Sequence, residues 1–173
     1  LSLHDALPIS GPVEVACTGT FPEPGSGLWN VITSFEADFR YADGVTLHYH
    51  TDTKGAYIKV TGEEGWIHGD WHRKGPGMIA SDPAILKAEL KEDAIRLPLR
   101  TDKQDFINAI LTGEPVMIDA EIGHRTCSVG QIAHIAVQRG KELDWNPDTE
   151  VFTNDDEANA LLTRPVRGKW MEV

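Results

Sequence analysis

Two histidines and two carboxylates have a spacing that could support chemistry in this chain. His48 and His50 alternate along one stretch of sequence, and Glu36 and Asp38 alternate along the stretch before it. On paired β-strands, residues two apart share a face, so the four side chains are predicted to meet. Such a cluster suits a metal site or a proton relay. The alternative is a cross-strand pairing of charges on an exposed or interfacial face.

A second pair of histidines, His68 and His72, lies four residues apart. On a helix this spacing would place two metal ligands on one face. The glycines and the proline on either side instead predict a strand end that runs into a turn. We therefore expect a solvated loop at 68–72 rather than a metal site.

His124 and Cys127 have the residue types of a base and a nucleophile, and they fall within a predicted helix. No acidic residue is apparent that would orient the histidine. A polar helix stripe that also contains Gln131 and Gln138 explains both residues. The segment 25–30 begins like a dinucleotide fingerprint, but it precedes a strand and not a helix, so it predicts a loop.

The first half of the chain has the alternation that β-strands require. Strands are predicted at 13–20, 30–41, 45–51, 56–61 and 66–68. Between the second and third of these, Asp43-Gly44 is typical of a hairpin turn. The predicted core face of the second strand comprises Val31, Thr33, Phe35, Ala37, Phe39 and Tyr41.

The second half has helical periodicity. A helix is predicted over 102–111, stopped at Gly113, and a longer amphipathic helix over about 119–139. The apolar faces comprise Phe106, Ile107, Ile110 and Leu111 in the first helix, and Ile122, Val129, Ile132, Ala133, Ala136 and Val137 in the second. Strands followed by helices predict an α+β fold: a large, mostly antiparallel β-sheet with helices packed on one face. We expect the second face to be apolar enough to join subunits.

Size and charge restrict the classes of function. The chain has 173 residues, a mass of 19.1 kDa, a formal net charge of −11 and a pI near 5.0. This acidity argues against nucleic acid and anionic membrane partners, which need a basic face. Cys17 and Cys127 are too few for a disulfide framework, so a reducing, cytoplasmic compartment is the expectation.

Residues 1–10 fit neither a secretion signal nor the pattern of the rest of the chain. We expect them to be a non-native leader, resembling translated adapter sequence. Residues 11–173 are then expected to form one domain.

Three segments in order resemble a known family. They are Phe35–Val45, Val60–Ile67 and the stretch from Asp105 through Arg125, followed by a tail at 157–170. Together they resemble the C-terminal domain of the Gfo/Idh/MocA oxidoreductases, in a bacterial subgroup that acts on sugars or glycosides. The resemblance covers about Gly11 to the end of the chain.

The resemblance implies that cofactor binding and substrate binding belong to two different domains. In the family, an N-terminal Rossmann domain binds NAD or NADP and carries a Glu-Lys-Pro motif. The second domain is a mostly antiparallel sheet that lines the substrate pocket and forms the oligomer interface. A helix at its start presents an Asp and, four residues later, a His as the acid/base pair. The present sequence contains none of these motifs. We therefore expect a fragment that is inactive alone, with no catalytic, cofactor or metal residues of its own.

The same resemblance suggests substrate contacts. In related enzymes, the connection that leads into the strand before Gly-Glu-Glu-Gly approaches the substrate, and here that connection is the segment 50–55. His50, Asp52 and Lys54 are therefore expected to hydrogen-bond sugar hydroxyls, and Trp29 to stack on a sugar ring. The alternative for each residue is a solvated loop.

The expected partners are a sugar or glycoside, the missing Rossmann domain and further copies of the chain in a homo-oligomer. Two other functions stay open. One is a free-standing carbohydrate-binding or scaffold domain that works without nucleotide. The other is a fragment of an NAD-dependent glycosidase of the same family.

Overall fold

The computed structural model describes residues 11–51, 55–70, 77–89, 92, 94 and 101–164. The chain divides into two compact units. The terminal unit comprises residues 1–51 and 120–173, and the central unit comprises residues 52–119.

Eight strands and three α-helices are present in the described ranges. They are β1 (Glu14–Thr20), β2 (Ser34–Arg40), β3 (Thr46–His50), β4 (Tyr57–Gly62), β5 (Gly65–Asp70), β6 (Met78–Ala80), α1 (Asp102–Thr112), α2 (Ala120–Arg139), β7 (Leu143–Asn146), β8 (Val151–Phe152) and α3 (Asp156–Ala160). A short 3₁₀ helix lies at Ile85–Lys87.

The terminal unit contains a five-stranded antiparallel sheet in the order β3-β2-β1-β7-β8. The predicted Asp43-Gly44 hairpin joins β2 to β3, with Gly44 at φ +90° and the Asp43 side chain accepting the Val45 N–H at 3.1 Å. The second strand begins at Ser34, four residues later than predicted. Ile32, inside the predicted range, lies over Gly19, where a Cβ would overlap its side chain.

The core of the terminal unit lies between this sheet and α2, which packs over β1. The predicted core face of the long helix is confirmed in most of its residues: Val129, Ile132, Ala133 and Ala136 are buried there. Two other predicted residues, Ile122 and Val137, are partly buried, and Ile135, which was not predicted, is buried as well. The buried hydrophobic cluster comprises Val15, Cys17, Ala37, Phe39, Tyr41, Val129, Ile132, Ala133, Ile135, Ala136, Leu143, Trp145, Phe152 and Ala158.

The central unit contains a three-stranded antiparallel sheet in the order β4-β5-β6, and helix α1. Helix α1 has strong signals at both ends. Thr101 and Gln104 form a capping box, and Gly113 ends the helix in the left-handed conformation at φ +75°. Its predicted extent is confirmed to within one residue.

The expected fold class, α+β with mostly antiparallel strands and helices on one face, is confirmed. In detail, the strands that the sequence placed in one meander belong to two sheets, since β3 pairs only with β2 and β4 only with β5 among the described strands.

The expected apolar second face is wrong for the five-stranded sheet. The large apolar side chains of β2 point to the core, so charged residues occupy the alternate positions that face away from α2. None of the described helices is both long and apolar enough to span a bilayer.

Candidate functional site

The four chemistry-bearing residues of the sequence meet on one face of the sheet. Glu36 lies directly opposite His50, and Asp38 lies directly opposite His48. The residue between the two acids, Ala37, is fully buried in the core, so the four side chains point to the opposite face. The prediction that they share a face is confirmed. We call this group the polar ladder.

The geometry of the polar ladder is close. His48 Nδ1 lies 2.5 Å from Asp38 Oδ1, and the His48 and His50 rings are 5.1 Å apart between centroids. The side chains of His48 and Asp38 are 53% and 62% exposed. A side-chain contact this exposed contributes at most about 1 kcal/mol to folding, so its main effect is to orient the two side chains.

The ladder extends across a third strand. Thr18 of β1 lies opposite Glu36, and Ala16 lies opposite Asp38. Thr18 was not among the predicted residues of this group, although its place two residues after Ala16 in an alternating strand indicates the same face. The two rows therefore present carboxylates, imidazoles and a hydroxyl on adjacent strands, about 4.8 Å apart.

The end of β3 is fixed beside the ladder. The Thr51 hydroxyl accepts the Phe35 N–H at 3.1 Å, and the Thr51 N–H donates to the Phe35 carbonyl at 3.0 Å. His50 Nδ1 lies 3.5 Å from the Thr51 carbonyl. His50 is therefore held at a defined strand end, and the segment predicted to contact substrate starts from there.

The other predicted contacts have different outcomes. Asp52 and Lys54 lie outside the described residues. Trp29 lies in the loop between β1 and β2 and is 78% exposed. The described structure joins Trp29 to the polar ladder by no ring contact or hydrogen bond, so its stacking role stays a prediction.

A metal site finds no support within the described ranges. No group of three or more His, Cys, Asp or Glu side chains there is arranged to hold a metal ion. His68 lies within β5, and its ring packs edge-on against Tyr57 with centroids 5.0 Å apart. Its sequence partner, His72, lies outside the described residues.

The expectation that His124 lacks an acidic partner is wrong. Glu150 Oε1 lies 2.6 Å from His124 Nε2 and 3.4 Å from Arg125 Nη1. Glu150 follows 26 residues later and adopts φ +54° in the turn before β8. Arg125 also donates to the Pro147 carbonyl. These contacts hold the turn before β8 against α2. No local pattern in the sequence predicted them.

A cavity of about 210 Å³, about half open to solvent, lies in the terminal unit, between the core side of the sheet and α2. It is lined by Cys17, Ile32, Phe35, Tyr49, Gly130, Ala133, His134 and Val137. Its lining is mostly apolar. Burial raises the pKa of the Cys17 thiol, and the negative charge of Asp38 adds to this effect. The cavity is separate from the polar ladder because it lies on the other face of the sheet.

The dinucleotide implied by the resemblance does not fit the described residues. A dinucleotide phosphate is normally bound by a helix N-terminus that follows a strand and a glycine-rich turn. All three described α-helices carry acidic residues in the first turn: Asp102 and Asp105 in α1, Glu121 in α2, and Asp156 and Glu157 in α3. These carboxylates would repel a phosphate at each of the three helix starts.

Three solved structures with a similar fold carry the names of oxidoreductases. The aldose-aldose oxidoreductase from Caulobacter crescentus, complexed with glycerol, has a TM-score of 0.56 and 18% identity over 78% of this chain and 42% of its own. A putative myo-inositol dehydrogenase from Sinorhizobium meliloti has a TM-score of 0.53 and 17% identity, with 78% and 44% covered.

A third solved structure is the UDP-N-acetylglucosamine 3-dehydrogenase from Acidithiobacillus ferrooxidans. It has a TM-score of 0.50 and 17% identity, with 75% of this chain and 43% of its own covered. At these identities the likeness concerns the fold alone. The chain spans less than half the length of each of the three proteins. No curated protein sequence gives a significant match.

The family assignment comes from the sequence of nearly the whole chain. Residues 11–172 match the oxidoreductase family C-terminal alpha/beta domain of the Gfo/Idh/MocA group. The match begins where the resemblance noted above begins, and the antiparallel fold agrees with it. This chain therefore belongs to the Gfo/Idh/MocA family as a C-terminal alpha/beta domain.

Proposed function

We propose that residues 11–173 are the substrate-binding and oligomerisation domain of an NAD(P)-dependent sugar oxidoreductase. The observation that carries this proposal is the family match over residues 11–172. The solved structures with the same fold act on an aldose, a cyclitol and a nucleotide sugar, according to their names, and they support a polyhydroxylated substrate.

The polar ladder is the part of the described structure best suited to such a substrate. Carboxylates accept hydrogen bonds from hydroxyl groups, and a neutral imidazole both donates and accepts. Glu36 and His50 form one row and Asp38 and His48 the next, so neighbouring hydroxyls of one ring can engage both rows. We propose that Asp52 and Lys54, which follow His50 in sequence, extend this surface, and that Trp29 supplies a stacking face.

The redox step needs groups beyond those described here. Oxidation of a carbinol requires a cofactor that accepts a hydride and a base that removes the hydroxyl proton. The acidic helix starts disfavour a dinucleotide on the described residues. We propose that NAD or NADP and the base belong to a Rossmann domain of the intact parent, and that this chain alone does not turn over sugar.

The proposal is tested by titrating the chain with D-glucose and myo-inositol while recording amide NMR spectra. We expect saturable shifts near β2 and β3, with dissociation constants in the millimolar range. Asp38→Asn should weaken binding by about tenfold, because a hydrogen bond to a charged group contributes about 1.5–3 kcal/mol. His50→Ala should weaken binding by about fivefold, because a hydrogen bond between neutral groups contributes about 1 kcal/mol. Thr46→Ala is the matched control, since Thr46 lies on the same strand and face, opposite Arg40.

The outcomes separate the rival functions. Saturable NADH binding by the chain would overturn the fragment view, and equal weakening by Thr46→Ala would overturn the assignment of the ladder. Sugar binding tight enough to act without nucleotide, in the micromolar range, would favour a free-standing carbohydrate-binding domain.

We further propose that the chain assembles as a homo-oligomer. Beyond the polar ladder, the outward face of the five-stranded sheet carries the ion pair between Glu14 and Arg40. An interface there would be held by ion pairs and hydrogen bonds, and salt should weaken it. Light scattering at low and high salt tests this, and a monomer at high protein concentration in low salt would contradict it.

We also propose that the protein is located in the cytoplasm. Cys17 and Cys127 are both unpaired, which agrees with a reducing compartment.

A further inference from the structure

We propose that strand β3 pairs edge to edge with β3 of a second copy of this chain, so that their two five-stranded sheets form one continuous sheet. The partner is therefore a second copy, and it binds mainly through its main chain. The inference rests on the proposed homo-oligomer and adds to it a contact at the sheet edge, which is separate from the ion pairs of the outward face.

The main chain of β3 has hydrogen-bonding groups on the side that faces away from β2. The Thr51 N–H donates to the Phe35 carbonyl, so residue 51 belongs to the hydrogen-bonded positions of the β2–β3 pair. In an antiparallel pair these positions alternate with positions whose N–H and C=O groups point the other way. Thr46 and His48 are of the second kind, and among the described residues none makes a main-chain hydrogen bond to them. Such a row of groups is a template for another strand.

The two edges of the five-stranded sheet differ in their protection. At one edge, β8 has only two residues, and the Asn159 side chain accepts the Phe152 N–H at 2.7 Å and donates to the Phe152 carbonyl at 2.8 Å. At the other edge, β3 has five residues and contains no lysine, proline or acidic residue. Natural proteins block free edges with short strands, lysine or proline. Among the described strands of this sheet, β3 is therefore the edge that can accept a partner.

The sequence of β3 is complementary to itself when two copies run antiparallel. Only the register centred on His48 pairs all five residues of the strand with the second copy. Leu47 then lies opposite Tyr49 of the second copy, in a non-hydrogen-bonded pair whose side chains are close. Tyr49 is 47% exposed in one copy, so this contact covers apolar surface that a single sheet leaves in water.

The charge pattern around β3 allows two acidic molecules to meet. The chain has a formal net charge of −11, so repulsion opposes contacts between copies, but residues 46–50 contain no carboxylate. In the paired sheet, His48 of each copy separates the two Asp38 side chains, whose strands are about 14 Å apart. This distance exceeds the Debye length of about 8 Å at physiological salt, so the repulsion between these carboxylates is largely screened.

Edge pairing has a consequence for the polar ladder. The side chains of His48 and His50 share the outward face with Glu36 and Asp38. The ladders of the two copies therefore lie next to each other on one continuous surface. A saccharide of two or more rings can then contact carboxylates and imidazoles of both copies.

The first experiment tests the register by disulfide cross-linking in a Cys127→Ser background, in which the remaining Cys17 is buried. The Cα atoms of a hydrogen-bonded antiparallel pair are about 5.5 Å apart, which suits a disulfide. We expect His48→Cys to form a cross-linked dimer under mild oxidation, at least about tenfold faster than Thr46→Cys. Thr46→Cys is the matched control on the same strand and face, because the two copies of residue 46 would lie about 14 Å apart. Non-reducing gel electrophoresis measures both rates.

The second experiment measures association by sedimentation equilibrium at low and high salt. We expect a weak dimer at high protein concentration, since two five-residue strands bury less than the roughly 1,200 Å² of a standard interface. Main-chain hydrogen bonds hold this dimer, so salt should change its dissociation constant by less than about twofold.

A charge placed on the edge should break the dimer. His48→Glu sets two carboxylates directly opposite each other and should weaken association by at least about tenfold. Thr18→Glu is the matched control on the inner strand β1. Each variant places a glutamate opposite an existing carboxylate of β2, Asp38 for His48→Glu and Glu36 for Thr18→Glu. Circular dichroism checks that both variants fold.

The results separate the edge contact from the homo-oligomer as a whole. Equal cross-linking of Thr46→Cys and His48→Cys would overturn the edge pairing, and so would equal weakening by Thr18→Glu and His48→Glu. A dimer that salt dissociates and that tolerates His48→Glu would retain the outward-face oligomer and remove only the edge contact. A monomer at every concentration would overturn both proposals.

Discussion

The terminal and central units differ in the burial of their apolar residues. Every buried hydrophobic side chain of the described core belongs to the terminal unit. In the central unit, the predicted apolar face of α1 is more than half exposed: Phe106 63%, Ile107 53%, Ile110 66% and Leu111 77%. The same types of residue thus form a core in one unit and a surface in the other.

The difference shows that a helix and a core have different requirements. Helix α1 has a complete capping box and a left-handed glycine at its end, which are local signals. Burial needs a second layer. In the terminal unit, the 20-residue helix α2 supplies that layer for the five-stranded sheet. Within its described residues, the central unit pairs three strands but builds no buried hydrophobic cluster.

The two units also differ in the groups that contact their buried carboxylates. Asp155 accepts hydrogen bonds from the Ala158 N–H at 2.9 Å and from Arg139 at 2.9 Å, and it pairs with Lys141 at 3.0 Å. In the central unit, Asp105 accepts the Met117 N–H at 2.7 Å. Asp155 joins α2 to α3 through charges, whereas Asp105 holds the chain just beyond its own helix.

The largest effect should come from deleting one phenylalanine in each unit. Phe39 is fully buried in the terminal core, so Phe39→Ala should cost about 3–5 kcal/mol of unfolding free energy. Phe106 is 63% exposed, so Phe106→Ala should cost less than about 1 kcal/mol. Urea denaturation followed by circular dichroism measures both. Equal losses in the two variants would contradict the contrast between the units.

The second-largest effect should be a loss of folding stability in acid, caused by protonation of Asp155. The Ala158 N–H, together with Arg139 and Lys141, lowers the pKa of this carboxyl well below its usual range. Since the folded-state pKa is depressed, the stabilisation is present above the unfolded pKa of about 3.9 and is lost as pH falls from there toward the folded pKa. Denaturation curves between pH 5 and pH 2 should therefore show a steep loss of stability.

The variant Asp155→Asn tests the effect of the negative charge alone in the acid denaturation measurement. Asparagine is also a good N-cap, so the helix start should be retained while the ion pairs are lost. We expect this variant to be less stable at pH 7 and to have a flatter acid limb below about pH 4. Asp105→Asn in the central unit is the matched control for removing a buried carboxylate. An unchanged acid limb in Asp155→Asn would show that other groups cause the acid loss.

The smallest effect should come from the cap of α1. Thr101→Ala removes the hydroxyl that accepts the Gln104 N–H, and such a change typically costs about 1 kcal/mol. Because α1 buries little apolar surface, we expect the loss to appear locally, as about fivefold faster amide hydrogen exchange in residues 102–112. Amides in α2 should be unaffected. Faster exchange in both helices would indicate that the two units unfold together.

The sequence anticipated features that depend on short-range periodicity. Alternation along 34–40 and 46–50 placed Glu36, Asp38, His48 and His50 on one face, and the strand pairing brings them into register. The stop of α1 followed from Gly113, and most of the core face of α2 followed from helical spacing. These predictions succeeded because each depends on residues fewer than five positions apart or on one hairpin.

Other features depended on distant parts of the chain. Glu150 reaches His124 across 26 residues, and the cavity draws its walls from β1, β2, β3 and α2 together. No local pattern encodes such contacts, because they arise when separate elements pack. Hydropathy marked an apolar face on both α1 and α2. The packing of layers alone decided that α2 became core while the same kind of face on α1 stayed exposed, because burial requires an opposing surface and not only an apolar stripe.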